Sequence, residues 1–435
     1  MKNRRKKLFP VLIIGLILSI SINAQEPKSN SGINQPLILE DVTIIDGTGK
    51  LAQPSSYILI ENGKITSIGK KGKIKYPGNA RVLKLKNKFV IPGLIEMHTH
   101  MYDEKVCRAL LASGITTMRI PAASPKESTE LRTRIASGEI IGPRIFTAGN
   151  LIDGPGSTSS NLIAKSEEEV HEAVRQEIKR GVDYVKLYTS LTPELVKAAI
   201  DEAHLHGVKV IGHLGRTSWT FAANSGIDAL CHSAMSGPIW ELIPTEKRDT
   251  YLNLSCPVDG FNPNLFKEWG ENFNIDEPEK KELTKALAEN KVTIDPTLVM
   301  MEAMIWGNDS TYLNHMETDN VSKAFTKQWR NGNLHPYTSW WSDEAHSDAK
   351  NLFPVFQKII KCFWDNGILI TAGTDLGNPW LAPGVSLHRE FELLACEALS
   401  CCLAVVLSKP AELQNLHNRK TVLMKLFYIL PGSEI

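Results

Sequence analysis

Short apolar runs alternate with amphipathic segments along most of the chain, from Pro92 onward. In segments such as "SEEEVHEAVRQEIKRG" the apolar residues recur every three or four positions, which is the period of a helix. That segment begins with a capping box, Ser166 and Glu169, and ends at Gly181. The short apolar runs predict buried strands. These predicted strands are Leu94–His100, Ile115–Ile120, Arg144–Asn150, Val182–Tyr188, Val208–His213, Ile227–His232, Val292–Leu298 and Ile368–Asp375.

Eight strands separated by helices predict the α/β class and, within it, a (β/α)8 TIM-like barrel over residues 92–400. A doubly wound open sheet is the competing architecture for the same alternation. The stretches Met235–Lys291 and His335–His346 fall outside the alternation, so we predict insertions or extended loops there.

Residues 36–91 have a different pattern, in which apolar and polar positions alternate one by one. The segments "LILEDVTIIDGTG" and "SYILIENGKITSIG" show this period of two, and Asn62-Gly63 is a hairpin turn signal. We therefore predict a β-rich segment. It is too small to be stable alone, so it is expected to pack on another part of the chain.

The first residues carry the pattern of a targeting segment. A basic stretch from Lys2 to Lys7 precedes the apolar stretch Leu8 to Ile22, which is followed by Ala24. This predicts a secretory signal peptide over residues 1–24 and a polar linker over 25–35. The mature protein would then be periplasmic or secreted, with no stable membrane anchor. An uncleaved anchor is the alternative, although the apolar stretch is short for one.

The charge balance excludes one class of partner. The formal net charge is +1, and no long basic run follows the first residues. This argues against a nucleic-acid partner and leaves a small-molecule substrate as the expected one. Homo-oligomer formation stays open.

Polar side chains of a particular kind lie at the ends of the predicted strands. His98 and His100 occupy alternate positions, so their side chains project from the same face of a strand. The carboxyl ends of barrel strands meet on one rim, where active sites lie. Each residue alone has a structural alternative, such as a core histidine or a helix cap. Together they indicate a metal site that also contains Lys186, His213, His232 and Asp375.

The types of these side chains indicate the chemistry. Imidazoles with a carboxylate suit Zn²⁺ and its neighbours in the first-row series. An ammonium would repel a cation, but Lys186 carboxylated to a carbamate would be an anion able to bridge two divalent metal ions. Two metals would convert a bridging water to hydroxide, which attacks a carbonyl, and Asp375 would carry the proton to the leaving group.

Seven motifs give the chain a family resemblance: "VIPGLIEMHTHM", "ASGITTMRI", "GPRIFTAGNLID", "GVDYVKLYTS", "KVIGHLG", "GIDALCHSAM" and "TAGTDLGNPWLAPGVSLHRE". From about Leu37 to Glu392 the chain resembles the amidohydrolase superfamily, in its branch of prolidase-like and imidazolonepropionase-related hydrolases. The resemblance implies a barrel with a small β-sandwich built from both ends of the chain. Residues 36–91 would be the N-terminal part of that sandwich.

The resemblance also implies roles for the site residues. One metal would be held by His98, His100 and Asp375. The second would be held by His213 and His232, with carboxylated Lys186 as the bridge. Tyr188 resembles a substrate-contacting tyrosine of this branch, and a tyrosine packed at the barrel rim is the alternative.

The chain departs from the family pattern in two places. After "TTMR" the family often has an acidic residue and glycines, where this chain has Ile120-Pro121-Ala122-Ala123. Residues 401–435 lack the glycine-containing segment that would close the sandwich. We therefore expect a truncated or frameshifted tail and a sandwich whose C-terminal part is missing or altered. A divergent tail is the alternative.

These expectations converge on an exported, metal-dependent amidohydrolase that cleaves amide or related C–N bonds, with dipeptides or N-acyl amino acids as first substrates. The alternative enzyme is a cyclic-amide hydrolase with one metal, similar to imidazolonepropionase. Lys186 argues against it, because a bridging carbamate implies two metals. A metal-binding but inactive truncated homologue is the alternative outside enzymes.

Overall fold

A computed structural model of the protein describes residues 35–48, 50–73, 75–157, 162–232, 240–242, 244–248, 263–272, 278–309, 311–312 and 338–395. The predicted signal peptide, nearly all of the linker and the predicted tail lie outside these residues, as do parts of both predicted insertions. Within the described ranges, no helix has the length and apolar content needed to cross a membrane.

The N-terminal segment forms one five-stranded sheet, which contains β1 (Leu37–Ile44), β2 (Gln53–Glu61), β3 (Lys64–Lys70), β4 (Arg81–Lys84) and β5 (Phe89–Val90). Strand β1 pairs antiparallel with β2 and parallel with β4 and β5. The predicted hairpin is confirmed, since β2 and β3 pair antiparallel around Asn62 (φ 51°) and Gly63 (φ 72°). Left-handed backbone at both turn residues is what a tight hairpin requires. The second sheet of a sandwich stays a prediction.

The remaining strands are all parallel to their neighbours. They are β6 (Leu94–Glu96), β7 (Ile115–Ile120), β8 (Arg144–Thr147), β9 (Leu151–Asp153), β10 (Leu162–Ile163), β11 (Tyr184–Leu187), β12 (Lys209–Gly212), β13 (Ala229–Cys231), β14 (Thr293–Asp295) and β15 (Leu369–Ile370). From β11 to β15 their order in the sheet follows their order in the chain. A doubly wound sheet would reverse direction at a switch point, so this order favours the barrel-like arrangement.

Helices connect and cover these strands: α1 (Glu104–Ala112), α2 (Pro125–Ala136), α3 (Glu167–Lys179), α4 (Pro193–Leu205), α5 (Trp219–Asn224), α6 (Pro263–Asn272), α7 (Pro278–Glu289), α8 (Leu298–Ile305), α9 (Asp343–Asp365) and α10 (Val385–Ala395). The cap predicted for α3 is confirmed, because the backbone N–H of Glu169 donates to Ser166 Oγ at 3.3 Å. Gly181 follows the helix with φ 82°. Helices α6 and α7 lie in the stretch predicted as an insertion.

The described strands do not close into one barrel, which corrects the predicted closure. Strands β6, β7 and β8 form one sheet, and β9 to β15 form a second. Backbone hydrogen bonds still cross both gaps. At the first gap Asp183 N donates to Thr147 O at 2.8 Å. At the second, Met97 N donates to Ala372 O at 3.0 Å, Asp375 N to His98 O at 2.8 Å and His100 N to Leu376 O at 2.6 Å. The arrangement is therefore that of a barrel in which strand pairing stops at two seams.

The first seam has a local cause at Gly149. The predicted strand Arg144–Asn150 ends early at Thr147, because Gly149 takes φ 69° and leaves extended backbone. A Cβ at Gly149 would lie 2.2 Å from Glu177 Oε2, so only glycine fits there. The Glu177 carboxylate also accepts a hydrogen bond from the backbone N–H of Asn150 at 3.0 Å, which a neighbouring strand would otherwise accept.

At the second seam a buried carboxylate adds to the few backbone contacts between the two sides. Glu96 Oε1 accepts from His98 N at 3.0 Å and from Thr374 N at 2.9 Å. Burial raises the pKa of Glu96 to about 8. These side-chain contacts hold the ends of β6 and β15 together where the candidate site begins.

The largest apolar cluster fills the space between the parallel strands and the helices. Fully buried members come from strands, such as Ile152 and Val185, and from helices, such as Phe356 and Leu394. Each such side chain contributes about 1.5–3 kcal/mol through removal from water. The strand ends are thus fixed on a packed scaffold.

The start of α8 depends on a distant glutamate. Thr297 precedes the helix with φ 50° and supplies no side-chain cap. Glu390 of α10 accepts instead from Leu298 N at 3.1 Å and Val299 N at 2.7 Å. The helix start, and with it Thr297, is therefore held in place by α10.

Candidate metal centre

The histidines that follow β6 meet Asp375 at the second seam. The Nε2 atoms of His98 and His100 lie 3.5 and 3.0 Å from Asp375 Oδ1. His98 and Asp375 are buried, and 34% of the His100 side chain is exposed. One donor atom from each residue lies within 4.8 Å of the others, a spacing that suits a metal ion.

The other ring nitrogen of three histidines is held by a protein oxygen. Metal-binding imidazoles commonly donate one N–H to such a partner and present the second nitrogen to the metal. The Nδ1 partners are Asp295 Oδ2 at 2.5 Å for His98, Ala122 O at 3.2 Å for His100 and Thr297 Oγ1 at 2.8 Å for His232. Each arrangement leaves Nε2 as the nitrogen for a metal.

The four predicted histidines form one continuous group of rings. Ring centroids are 5.2 Å apart for His98 and His100, 4.8 Å for His98 and His232, and 4.4 Å for His213 and His232. The Tyr188 ring packs edge-on against His213 at 4.7 Å. The structure therefore brings the four histidines and Tyr188 together at the strand ends.

Lys186 is buried in the same region. Its Nζ lies 2.8 Å from Cys231 Sγ, one residue before His232. Burial raises the pKa of the Cys231 thiol to about 12, so the thiol stays protonated and does not offset the lysine charge. A buried amine next to imidazoles is well placed for carboxylation, which stays a prediction.

The protonation states suit metal binding. Burial lowers the pKa of His98 and lowers that of His232 well below its ordinary value, with His213 adding to the second shift. Both rings are thus neutral at physiological pH, as ligation requires. Burial raises the pKa of Asp375, but His98 and His100 outweigh burial and hold it well below its usual range. Asp375 is therefore an anion.

Sequence reasoning missed Asp295 and Arg119. Asp295 is the last residue of β14. Its Oδ2 is hydrogen-bonded to Nδ1 of His98, and its Oδ1 accepts a hydrogen bond from Arg119 Nη2 at 2.9 Å. Arg119 Nε also donates to Met97 O at 2.7 Å. Burial raises the pKa of Asp295, yet Arg119 and His98 bring it below its ordinary value. Its place at the end of a predicted strand, in "VTIDPT", was the signal that could have found it.

A second group of donor atoms lies beside the first. It contains one possible ligand atom from each of His98, Cys231 and Asp295, and these three atoms lie within 4.8 Å of one another. Both oxygens of Asp295 are already engaged, by Arg119 and by His98. The Cys231 thiol is protonated, and a metal ligand would need to be a thiolate. We therefore assign Asp295 to the orientation of His98.

Three residues at this site have left-handed backbone. His232 has φ 68°, Asp375 has φ 59° and Thr297 has φ 50°. Such backbone is uncommon outside glycine and is an outlier for a β-branched residue such as Thr297. Strain of about 1–3 kcal/mol per residue is typical of functional sites.

Replacing Asp295 with asparagine is expected to weaken metal binding by about 10–100-fold. The amide has the same shape as the carboxylate but lacks its negative charge, which interacts with both Arg119 and His98. The orientation of His98 is therefore less firmly fixed in the variant. Competition with a chromogenic chelator measures the metal affinity. Asp201→Asn is the matched control, because Asp201 is exposed and pairs with Lys197 on α4. An affinity equal to that of the control would contradict this role of Asp295.

These features define a class of protein before any comparison. Parallel strands that end in buried, neutral imidazoles and one ionised carboxylate are typical of α/β metal-dependent hydrolases.

Comparison with known proteins gives a family match over part of the chain. Residues 89–232 match the model of the amidohydrolase family. The chain is 26% identical over 137 residues to a dihydroorotase of Anaeromyxobacter dehalogenans, covering 27% of this chain and 31% of the enzyme. It is also 26% identical over 169 residues to an uncharacterised protein of Mycobacterium bovis, covering 33% and 44%. The matches thus span less than half of either relative.

Solved structures extend the likeness to most of the chain. A Xaa-Pro dipeptidase with bound methionine has a TM-score of 0.58 at 20% identity, covering 85% of this chain and 86% of that one. A putative prolidase from Bifidobacterium longum has 0.59 at 22%, covering 86% and 81%. Bottromycin amidohydrolase has 0.61 at 19%, covering 88% and 78%. At these identities the structures show the fold. Over residues 89–232 the chain is therefore similar to the amidohydrolase family.

Proposed function

We propose that this chain is a metal-dependent hydrolase that cleaves the C–N bond of a small amide substrate, a dipeptide or an N-acyl amino acid. One observation carries the proposal: the buried Asp375 Oδ1 lies 3.5 and 3.0 Å from the Nε2 atoms of His98 and His100 at the strand ends. The family match and the fold likeness to a Xaa-Pro dipeptidase support the bond type.

The donor set fits divalent metal ions, with zinc as the expected one. His98, His100 and Asp375 would hold the first ion. His213 and His232 would hold the second, and carboxylated Lys186 would lie between them. Bound metal would supply a water of lowered pKa and polarise the substrate carbonyl.

The chain's own groups would orient the substrate and move the proton. Asp375 is an anion beside the proposed metal ligands His98 and His100, so it would accept a proton and return it to the leaving nitrogen. Tyr188, which lies against His213 and is half-buried, would contact the bound substrate. Arg119 and Asp295 keep His98 in one orientation and tautomer.

A cyclic-amide hydrolase with one metal is the second candidate. The observation that favours it is the compact group formed by His98, His100 and Asp375 alone. In this version the Lys186 amine would keep its contact with Cys231 rather than take up a carboxyl group.

We also infer export of the mature chain to the periplasm or the medium. The basic, apolar and small-residue order of residues 1–24 supports this inference. N-terminal sequencing of the protein recovered from an exporting host tests it, with Gln25 as the expected first residue.

Metal removal tests the proposed function. The purified chain beginning at Gln25 is stripped with a chelator, reconstituted with Zn²⁺ and assayed on panels of dipeptides and N-acyl amino acids. We expect turnover to be lost on stripping and restored by the metal. Circular dichroism before and after stripping separates loss of metal from loss of fold. A folded chain that binds no metal and turns over nothing would contradict the proposal.

A further inference from the structure

A second buried carboxylate at the strand ends has no part in the proposed metal chemistry. Asp153, the last residue of β9, is fully buried. Its Oδ1 accepts from Gly154 N at 2.8 Å and from Ser190 N at 2.7 Å. Its Oδ2 makes no hydrogen bond. A buried acceptor without a hydrogen bond lowers the stability of the fold by about 1–3 kcal/mol. This cost indicates that Oδ2 has a partner outside the fold, such as a bound ligand.

The surroundings of Asp153 place it beside the metal centre. Ser190, which donates to its Oδ1, lies two residues after Tyr188, and the Tyr188 ring contacts His213. Strand β9 also pairs with β11, the strand that carries Lys186. The fit is close, since a Cβ on Gly154 would lie 2.4 Å from the backbone oxygen of Ser190. Asp153 is therefore fixed at the end of β9, against the loop that follows β11 and its Lys186.

The charge of Asp153 has no direct counterion among the described residues. Burial raises the pKa of Asp153, and the contacts from Ser157, Gly154 and Ser190 oppose this shift, as does the nearby charge of Arg216. Arg216 is anchored through its backbone N–H, which donates to Thr189 O at 2.9 Å. Within the described part of the chain no ion pair joins Arg216 to Asp153. The free Oδ2 is thus an acceptor that suits a cationic N–H donor.

We propose that Asp153 binds the free amino group of the substrate. This inference rests on the proposed function and narrows it. A dipeptide carries an ammonium group at its N-terminus, which would form a charge-assisted hydrogen bond with Oδ2. An N-acyl amino acid has no such cation. Of the two substrate classes, dipeptides with a free N-terminus are therefore the preferred one.

A purely structural role for Asp153 makes a different prediction. Its Oδ1 joins β9 to the loop after β11, and asparagine would preserve that acceptor. Asparagine would replace the charged Oδ2 acceptor with a neutral NH2 donor, which cannot accept a hydrogen bond from the ammonium. The Asp153→Asn variant therefore separates recognition from folding, and its thermal unfolding should match that of the wild type.

The test compares free and N-acetylated forms of one dipeptide on the purified, zinc-loaded protein. In the wild type we expect a higher kcat/KM for the free form. In Asp153→Asn we expect a fall of about 10- to 100-fold for the free form and less than about 3-fold for the acetylated form. Asp201→Asn, an exposed carboxylate on α4, is the control that should change neither value. An equal fall for both forms, or no fall, would overturn the inference.

A binding measurement separates this inference from the proposed function. Calorimetry with L-alanine and N-acetyl-L-alanine reports recognition of the free amino group without turnover. Selective binding of L-alanine by the wild type, lost in Asp153→Asn, would support the inference even if no amide were hydrolysed. Turnover of both substrate forms with the same ratio in both proteins would overturn the inference and leave the hydrolase function standing. Absence of L-alanine binding to folded, zinc-loaded protein would also overturn it.

Discussion

Replacing Lys186 with alanine is expected to remove most of the bound metal and to lower kcat/KM by more than about 100-fold. Loss of a residue that merely supports a ligand typically costs 10–100-fold, and loss of a bridging ligand should exceed that. Plasma mass spectrometry of the purified chains measures the metal. About two ions per wild-type chain, falling to one or none in the variant, is the expected result.

Two controls sharpen this experiment. Lys197→Ala removes an exposed lysine of α4 that pairs with Asp201, and it should leave metal content unchanged. Acetate added to the Lys186→Ala chain would supply a small carboxylate to the vacated space, so partial recovery of metal would support a carboxylated lysine. One ion per chain in both the wild type and the variant would instead favour the cyclic-amide hydrolase with one metal.

Replacing Asp375 with asparagine is expected to lower kcat by about 10²–10⁴-fold, the range typical of a lost general base. The amide accepts no proton at neutral pH and brings no charge to the imidazoles of His98 and His100. Steady-state kinetics on the substrate found in the dipeptide and N-acyl amino acid panels measures kcat. Metal content measured on the same sample shows how far the loss follows from weaker binding.

The control for Asp375 is Asp365→Asn, at the exposed end of α9, where Asp365 pairs with Lys361. It should keep wild-type kinetics. If Asp375→Asn retained its metal and a kcat within about threefold of the wild type, Asp375 would be neither the proton carrier nor a required ligand.

Much of the scaffold could be predicted because its signals are local. The strand predicted at Ile115–Ile120 has those bounds in the structure, and helix α3 begins and ends where its cap residues indicate. The site residues could be proposed for a related reason. Parallel strands bring their carboxyl ends to one edge, so His98 and Asp375 meet although they lie far apart in the chain.

The rest depends on contacts that leave no local pattern. Asp295 contacts His98 across 197 positions, and Glu390 holds the start of α8 across 92 positions. The pattern of apolar and polar residues around Asp295 and around Glu390 gives no indication of these distant contacts. The break at Gly149 was missed for the same reason, since it depends on the position of Glu177 in a separate helix.

Because Thr297 has left-handed backbone, a substitution that raises stability at this position would lower activity. Glycine at this position would relieve strain of about 1–3 kcal/mol, but it would also remove the oxygen that fixes His232. Selection for heat resistance alone would therefore favour a substitution that selection for turnover rejects. In laboratory evolution for thermal stability, variants with glycine at position 297 would be more stable but less active.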